Sequence, residues 1–150
     1  KTYPDYQLLI VGEGDQREKL MDLAKKLYIS DKINLSGRKN QDQVLAELNC
    51  SKFFVLSSVT EGMPKALIEA LATNTPTVVT NVGSCKTISK GAGYSIEPSD
   101  HIELSQAMIK MIADEVKYKQ FLIQGRMNVI DYSWKSLAEK VHNTFINLKP

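Results

Sequence analysis

Short apolar runs alternate along the chain with longer segments in which apolar residues recur at every third or fourth position. The first run, at 7–12, is continuous and ends at a glycine, as expected for a strand that is buried on both faces. Similar runs occupy residues 32–37, 53–58 and 76–81, and the segments between them have helical spacing. This order predicts an α/β domain with a Rossmann-like parallel sheet and helices on both faces.

The last third of the chain is predicted to be mostly helical. A short edge strand at 94–96 precedes three helices, which are expected over 100–113, 115–131 and 134–148, with a break near Ser133. No repeat, linker or low-complexity segment interrupts this pattern. We therefore expect one domain over residues 1–150.

Three helix starts carry recognisable signals. Residues 15–18, Asp-Gln-Arg-Glu, match a capping box, and Asn40 can cap the helix after the second strand. Pro64 opens the helix KALIEALAT after the third strand. Proline is favoured in the first turn, where its missing N–H would have had no intrahelical partner.

The loops that follow the strands are the expected ligand sites, because open parallel sheets bind ligands beyond the carboxyl ends of their strands. These loops are 12–14 (Gly-Glu-Gly), 37–39 (Gly-Arg-Lys) and 58–65. The third is the most informative. Gly62 allows close approach of the backbone to a ligand, and the unpaired amides at the helix start form an anion site suited to a diphosphate.

Two glutamates lie at different positions along this segment, one before the helix and one within it. Glu61 lies at its mouth and Glu69 lies more than one turn inside, so an elongated ligand could place a sugar against one and a ribose against the other. The plainer alternative is a surface pair between Lys65 and Glu69, with Glu61 as an ordinary loop carboxylate. Spacing alone favours the plainer alternative.

The segment EGMPKALIEALA, preceded by FFVLSS and followed by TPTVVT, resembles the donor-binding motif of the family 4 (group 1) glycosyltransferases of the GT-B fold. The resemblance covers nearly the whole chain, from LLIVGEG through INLSGRK to Ser133-Trp134. It implies that residues 1–150 are the C-terminal, donor-binding half of a two-domain enzyme. The first strand of that half and the N-terminal acceptor domain would lie upstream of Lys1.

The resemblance assigns a role to each matching position. Glu61 would be the catalytic residue that contacts hydroxyls of the transferred sugar, and Glu69 would bind the ribose. Backbone amides would bind the sugar at Gly62 and Met63, and the diphosphate at Lys65, Ala66 and Leu67. The nucleoside would lie against Gly12, Gly14, Gly37, Arg38 and Lys39.

The function implied by the resemblance is a retaining glycosyltransferase that uses a nucleotide diphosphate sugar and needs no metal or other cofactor. The acceptor would be a sugar or a lipid-linked sugar in surface polysaccharide or glycolipid synthesis. The full-length enzyme would be cytoplasmic, with peripheral association at the inner face of the membrane. A non-catalytic nucleotide-sugar binding module and a sugar-nucleotide epimerase remain alternatives, and the fragment alone is expected to be inactive.

Two features depart from the family pattern. An Arg and a Lys that clasp the diphosphate would lie upstream of Lys1. The stretch after the fourth strand, NVGSCKTISKGAGYSI, lacks the family's second glycine, its Pro-Glu pair and its Asn-Gly, so the role of the 83–93 loop stays open.

Composition narrows the function classes. With 19 basic and 17 acidic side chains the net charge is +2, which is too even to indicate a nucleic-acid partner. No apolar run approaches the roughly 18 residues that a membrane helix needs. Cys50 and Cys85 have no neighbour at metal-ligand spacing, which favours a reduced compartment, and no Asp-x-Asp metal motif occurs. His101 and His142 are expected at the surface or in packing, and Trp134 in the core.

Overall fold

A computed structural model describes residues 5–147, which divide into two compact units between Val44 and Leu45. Strands and helices alternate in the predicted order. In this range they are β1 (Leu8–Val11), α1 (Arg17–Lys26), β2 (Ile33–Gly37), α2 (Gln41–Cys50), β3 (Phe54–Leu56), α3 (Lys65–Ala72), β4 (Thr77–Thr80), α4 (Cys85–Ile88), β5 (Gly93–Ile96), α5 (His101–Ala113), α6 (Glu115–Val129) and α7 (Trp134–Asn147). Short 3₁₀ turns occupy Ser30–Lys32 and Ile130–Tyr132.

Every strand pair is parallel, which confirms the predicted α/β class. β1 pairs with β2, and β4 lies between β3 and β5, so β5 is an edge strand as predicted. Hydrogen bonding groups the described strands into two sheets, of two and three strands, where the sequence pattern had indicated one. Parallel strands need crossover helices, and these account for the strict alternation of elements.

The first unit buries little of its strand surface. β1 was expected to be buried on both faces, and this is wrong: Leu8 and Val11 are each about two-fifths exposed. Among the described residues, the strand has one hydrogen-bonded neighbour, β2, and Ala24 is the one fully buried residue of helix α1. The continuous apolar run therefore predicted the strand correctly, but it did not predict whether the strand is buried.

The second unit has a core on each face of β4, whose four residues are all buried. Val79 belongs to a cluster with Leu67 and Leu71 of α3. Val78 points to the opposite face and packs in a second cluster with residues of α5 and α6, which include Met111. Because side chains alternate along a strand, this arrangement places helices on both faces of the three-stranded sheet, as predicted.

The predicted capping box at residues 15–18 and the predicted cap at Asn40 have different outcomes. The one at residues 15–18 is wrong: α1 begins at Arg17 with no side-chain cap, and a turn from the Gly14 carbonyl to the Arg17 amide precedes it. The cap at Asn40 is confirmed and is reciprocal. The Gln43 amide donates to the Asn40 side chain, and the Asn40 amide donates to the Gln43 side chain, each at 2.9 Å.

The C-terminal helix α7 is amphipathic but buries none of its described residues. Trp134 was expected to anchor the core, and this is wrong, because 89% of its surface is exposed. The break near Ser133 is confirmed by the extended backbone of that residue, while residue 148 of the predicted helix lies outside the described range. In residues 5–147, no helix has the length and apolar character needed to cross a bilayer.

Glycine at position 93 is required by the close pairing of β4 and β5. A Cβ added there would overlap the carbonyl oxygen of Thr77, which cannot move without disturbing the strand. We expect Gly93→Ala to lower the free energy of unfolding by about 3 kcal/mol, measured by urea denaturation. Gly62→Ala is the control, because a Cβ there meets nothing within 4 Å, and it should change stability by less than about 1 kcal/mol. Equal urea midpoints for the two variants would contradict this packing.

The two cysteines are expected to differ in reactivity. Cys85 is buried in the cluster beside Val79, whereas Cys50 at the end of α2 is exposed. Brief treatment of the native protein with iodoacetamide should modify Cys50 and leave Cys85 unmodified, as read by peptide mass spectrometry, because reaction needs an accessible thiolate. In denaturant both should react. Rapid native modification of Cys85 would show that the cluster opens readily.

Candidate functional site

The carboxyl ends of β3 and β4 bring Glu61 to the edge of the three-stranded sheet. The Ser58 hydroxyl, two residues beyond β3, donates to the Glu61 carboxylate at 2.7 Å. The Thr80 hydroxyl, at the end of β4, donates to the Ser58 carbonyl at 2.6 Å. Glu61 is half-buried in this position, so its carboxylate is held at the edge where ligands of parallel sheets bind.

The turn after β4 fastens the same loop from its other side. The Ser84 hydroxyl donates to the Gly62 carbonyl at 2.7 Å, and the Ser84 amide approaches the same oxygen at 3.4 Å. Gly83 has a φ of +50° and lies so close that a Cβ would overlap the Glu61 carbonyl oxygen. The 83–93 loop, whose role the sequence left open, therefore begins with direct support for the Glu61-Gly62 backbone.

Helix α3 begins at Lys65, as the predicted helix KALIEALAT does, but it offers fewer free amides than predicted. Pro64 is the N-cap, with extended backbone, and its carbonyl accepts from the Leu67 amide at 3.1 Å. The expectation that the Leu67 amide is unpaired is therefore wrong, because the first intrahelical bond already uses it. Within the described residues, the amides of Lys65 and Ala66 donate to no backbone or side-chain acceptor. Two donors and the helix dipole remain at this mouth.

The second predicted carboxylate, Glu69, lies half-buried on α3, further along the helix than Glu61. The alternative of a surface pair between Lys65 and Glu69 is not present: the ion pairs found among residues 5–147 do not include it. Met63 is exposed beside Pro64. The side chain of Glu69 is thus not engaged by the nearest lysine of its own helix.

In the first unit, the two predicted glycine loops lie against each other. The Gly12 amide donates to the Gly37 carbonyl at 2.8 Å, and both glycines have positive φ, at +134° and +74°. Gly14 is exposed, and a Cβ there would meet nothing within 4 Å. Arg38 is exposed and Lys39 half-buried. The structure brings these loops together at the carboxyl ends of β1 and β2.

Cys85, the first residue of α4, lies near the Glu61 carboxylate in the protein interior. Burial, and secondly the negative charge of Glu61, raise the pKa of its thiol, so the thiol stays protonated. The folded protein binds the Cys85 proton more tightly than the unfolded protein does. The stability that the protonated thiol contributes is therefore complete below the pKa of the thiol in the unfolded protein, and it is lost as pH rises through the pKa in the folded protein. A nucleophilic role for Cys85 is disfavoured on this ground.

Other parts of the surface add no chemistry to this site. No group of three His, Cys, Asp or Glu side chains suited to a metal ion occurs among the described residues. An open depression of about 600 Å³ lies around Tyr94 and Lys117, and one of about 430 Å³ around Lys90 and Asn128. The predicted donor residues line neither depression.

Sequence reasoning missed the three hydroxyl side chains that hold the loop. Ser58 lies three residues before Glu61, a spacing at which a serine hydroxyl can donate to a carboxylate, so this contact could have been predicted from the sequence. No such local signal exists for Thr80 and Ser84, because the residues to which they donate lie 22 residues away along the chain. Only strand pairing brings them together.

Comparison with known proteins places this geometry in a family. Residues 1–127 match the family model described as "Glycosyl transferases group 1". Two glycosyltransferases without assigned function are similar: one from Methanocaldococcus jannaschii, 41% identical over 147 residues, and one from Haemophilus influenzae, 33% identical over 143 residues. Each match covers 93% of this chain.

Nearly the whole of this chain also matches part of a solved structure. The crystal structure of Anabaena HepE in complex with UDP-glucose superposes with a TM-score of 0.85 at 15% identity, over 97% of this chain and 42% of that one. The chain spans 40% of the Haemophilus protein and 31% of the Methanocaldococcus protein. The family match covers more than half of the sequence, including all of the loop and helix around Glu61. The chain therefore belongs to the group 1 glycosyl transferases.

Proposed function

We propose that the protein containing this chain is a retaining glycosyltransferase and that the chain binds its nucleotide diphosphate sugar donor. The observation that carries the proposal is the position of Glu61, hydrogen-bonded to Ser58 beside two unpaired amides at the start of α3. Helix N-termini favour carboxylates, yet the Glu61 carboxylate accepts from Ser58 and leaves the two amides without an acceptor, so a carboxylate and two donors are both available to one ligand. A sugar diphosphate fits both, because its hydroxyls can donate to the carboxylate and its phosphate oxygens can accept from the amides.

The start of α3 is suited to the diphosphate. The amides of Lys65 and Ala66 are donors without acceptors in the described structure, and the helix dipole adds a partial positive charge of about 0.5 at this end. The exposed side chain of Lys65 supplies a full positive charge at the same place. When the bond from the anomeric carbon to the diphosphate breaks, the leaving oxygen gains negative charge, which these groups stabilise. The acceptor oxygen forms the new bond, and its proton passes to the leaving diphosphate.

The two glutamates then act on different parts of the donor. Glu61 would hold hydroxyls of the transferred sugar, and Glu69 would hold those of the ribose, each by charge-assisted hydrogen bonds. Gly62 and Met63 would donate backbone amides to the sugar. The UDP-glucose bound by HepE supports a donor of this class. Contacts of the nucleoside with Gly12, Gly14 and residues 37–39 stay a prediction.

Retention of anomeric configuration and independence from metal follow from the resemblance to family 4. We propose no cofactor, because the diphosphate charge is met by amides, a helix dipole and lysine in place of a divalent cation. We also propose a cytoplasmic setting and an acceptor that is a sugar or a lipid-linked sugar of surface polysaccharide or glycolipid. The acceptor would be bound by another part of the full-length protein, which would associate peripherally with the inner membrane face.

Replacing Glu69 by Ala in the full-length protein should weaken nucleotide binding. The loss of a charged partner for ribose hydroxyls is worth about 1.5–3 kcal/mol, so we expect affinity for UDP or GDP to fall by roughly 10- to 100-fold in calorimetric titration. Glu139→Ala, an exposed glutamate on α7, is the matched control and should bind as the parent does. Unchanged affinity in Glu69→Ala would remove the ribose role.

Replacing Glu61 by Gln should lower transfer while sparing nucleotide binding. We expect kcat to fall by about 10² to 10³, with UDP or GDP affinity nearly unchanged, because the carboxylate serves the sugar near the reacting carbon. Activity is measured as sugar transfer from a panel of UDP- and GDP-sugars, with EDTA present, and NMR of the product reports its anomeric configuration. Full activity of Glu61→Gln would refute the catalytic role. Binding without transfer by the parent protein would favour a binding module, and conversion of the donor sugar itself would favour an epimerase.

A further inference from the structure

Ser84 makes a contact that the predicted site does not explain. Its hydroxyl donates to the Gly62 carbonyl at 2.7 Å, across the gap between the β3–α3 loop and the turn after β4. The stretch after β4 lacks the second glycine of the family 4 pattern and has Ser84 directly after Gly83. Ser84 is half-buried and Gly62 is exposed, so this hydrogen bond lies at the surface of the loop.

The Ser84 contact fixes the orientation of a neighbouring donor. The Gly62 carbonyl and the Met63 amide belong to one planar trans peptide, in which C=O and N–H point in opposite directions. A hydroxyl that holds the carbonyl on the side of Ser84 therefore directs the Met63 amide away from that turn. Gly62 and Met63 are both exposed, and the Met63 amide donates to no acceptor in the described structure.

Hydrogen bonds, and not apolar packing, hold this loop in place. Val59 and Thr60 are exposed, as are Gly62 and Met63, and only Glu61 between them is half-buried. The described contacts that tie the segment to β4 and the turn after it are the Thr80 bond to the Ser58 carbonyl at one end and those of Gly83 and Ser84 at the other. Removing one of them should loosen the loop while the core beneath it stays intact.

We propose that Ser84 is a positioning residue for the donor sugar: its hydroxyl fixes the peptide between Gly62 and Met63 and so aims the Met63 amide at a sugar oxygen. This inference rests on the proposed function, because it needs the sugar to lie over the loop. Ser84 does not touch the substrate in this arrangement. It acts through the peptide that it holds, and it also limits movement of the adjoining Glu61 backbone.

The test uses the full-length protein with Ser84→Ala, Ser84→Gly and Ser84→Thr. We expect Ala and Gly to lower kcat and to weaken UDP-glucose or GDP-mannose binding by about 5- to 10-fold, the effect of losing one oriented hydrogen bond. Affinity for free UDP or GDP should stay within about twofold, because those ligands lack the sugar. Thr keeps the hydroxyl and should restore both properties. Ser105→Ala, which removes a serine hydroxyl that likewise donates to a backbone carbonyl, is the control.

The outcomes separate this inference from the proposed function. If Ser84→Ala weakens free nucleotide and nucleotide sugar equally, or if Thr fails to restore activity, the residue has a general structural role and the inference is overturned. If Glu61→Gln abolishes transfer while Ser84→Ala equals the parent, the inference fails and the proposed function stands. If the parent binds no nucleotide sugar, the proposed function fails first. Thermal unfolding of each variant, expected to match the parent, excludes loss of folding as the cause.

Discussion

The second unit depends on the complete burial of β4 between two partner strands and two helical layers. Its four residues alternate between the faces, with Val78 in one cluster and Val79 in the other. A strand held on all sides cannot shift, because a one-residue slip would turn every side chain to the wrong face. The residues at its carboxyl end, Thr80 to Ser84, therefore provide a fixed base for the loop that follows β3.

This fixed base explains how an exposed loop can carry a functional carboxylate. The Thr80 hydroxyl holds the Ser58 carbonyl, the Ser58 hydroxyl holds the Glu61 carboxylate, and the Ser84 hydroxyl holds the next peptide. Two of these bonds join the end of β4 and the turn after it to the loop that follows β3, and the third lies within that loop. The geometry is thus set by strand pairing, and the α3 dipole and its two unpaired amides lie one turn further along the chain.

Much of the architecture was predictable because it follows from local chemistry. The alternation of parallel strands with helices, the cap at Asn40 and the break at Ser133 all came from runs of neighbouring residues. Two of the wrong predictions concern burial, which depends on distant segments, and another concerns a hydrogen bond inside the first turn of α3. β1 looked buried on both faces, Trp134 looked like a core residue, and the Leu67 amide looked free. The burial of β1 and Trp134 depends on packing by other segments, whereas the Leu67 amide is paired with the Pro64 carbonyl.

By itself the sequence determined the alternation of strands and helices, the place of Glu61 at a helix mouth after a strand, and the motif that marks the family. These are properties of nearby residues, fixed by periodicity and backbone preference. Only the tertiary structure decided which side chains hold Glu61, because Thr80 and Ser84 meet residues 58–62 through the pairing of β3 with β4. Contacts between segments separated along the chain arise from topology, and a linear pattern carries no record of their geometry.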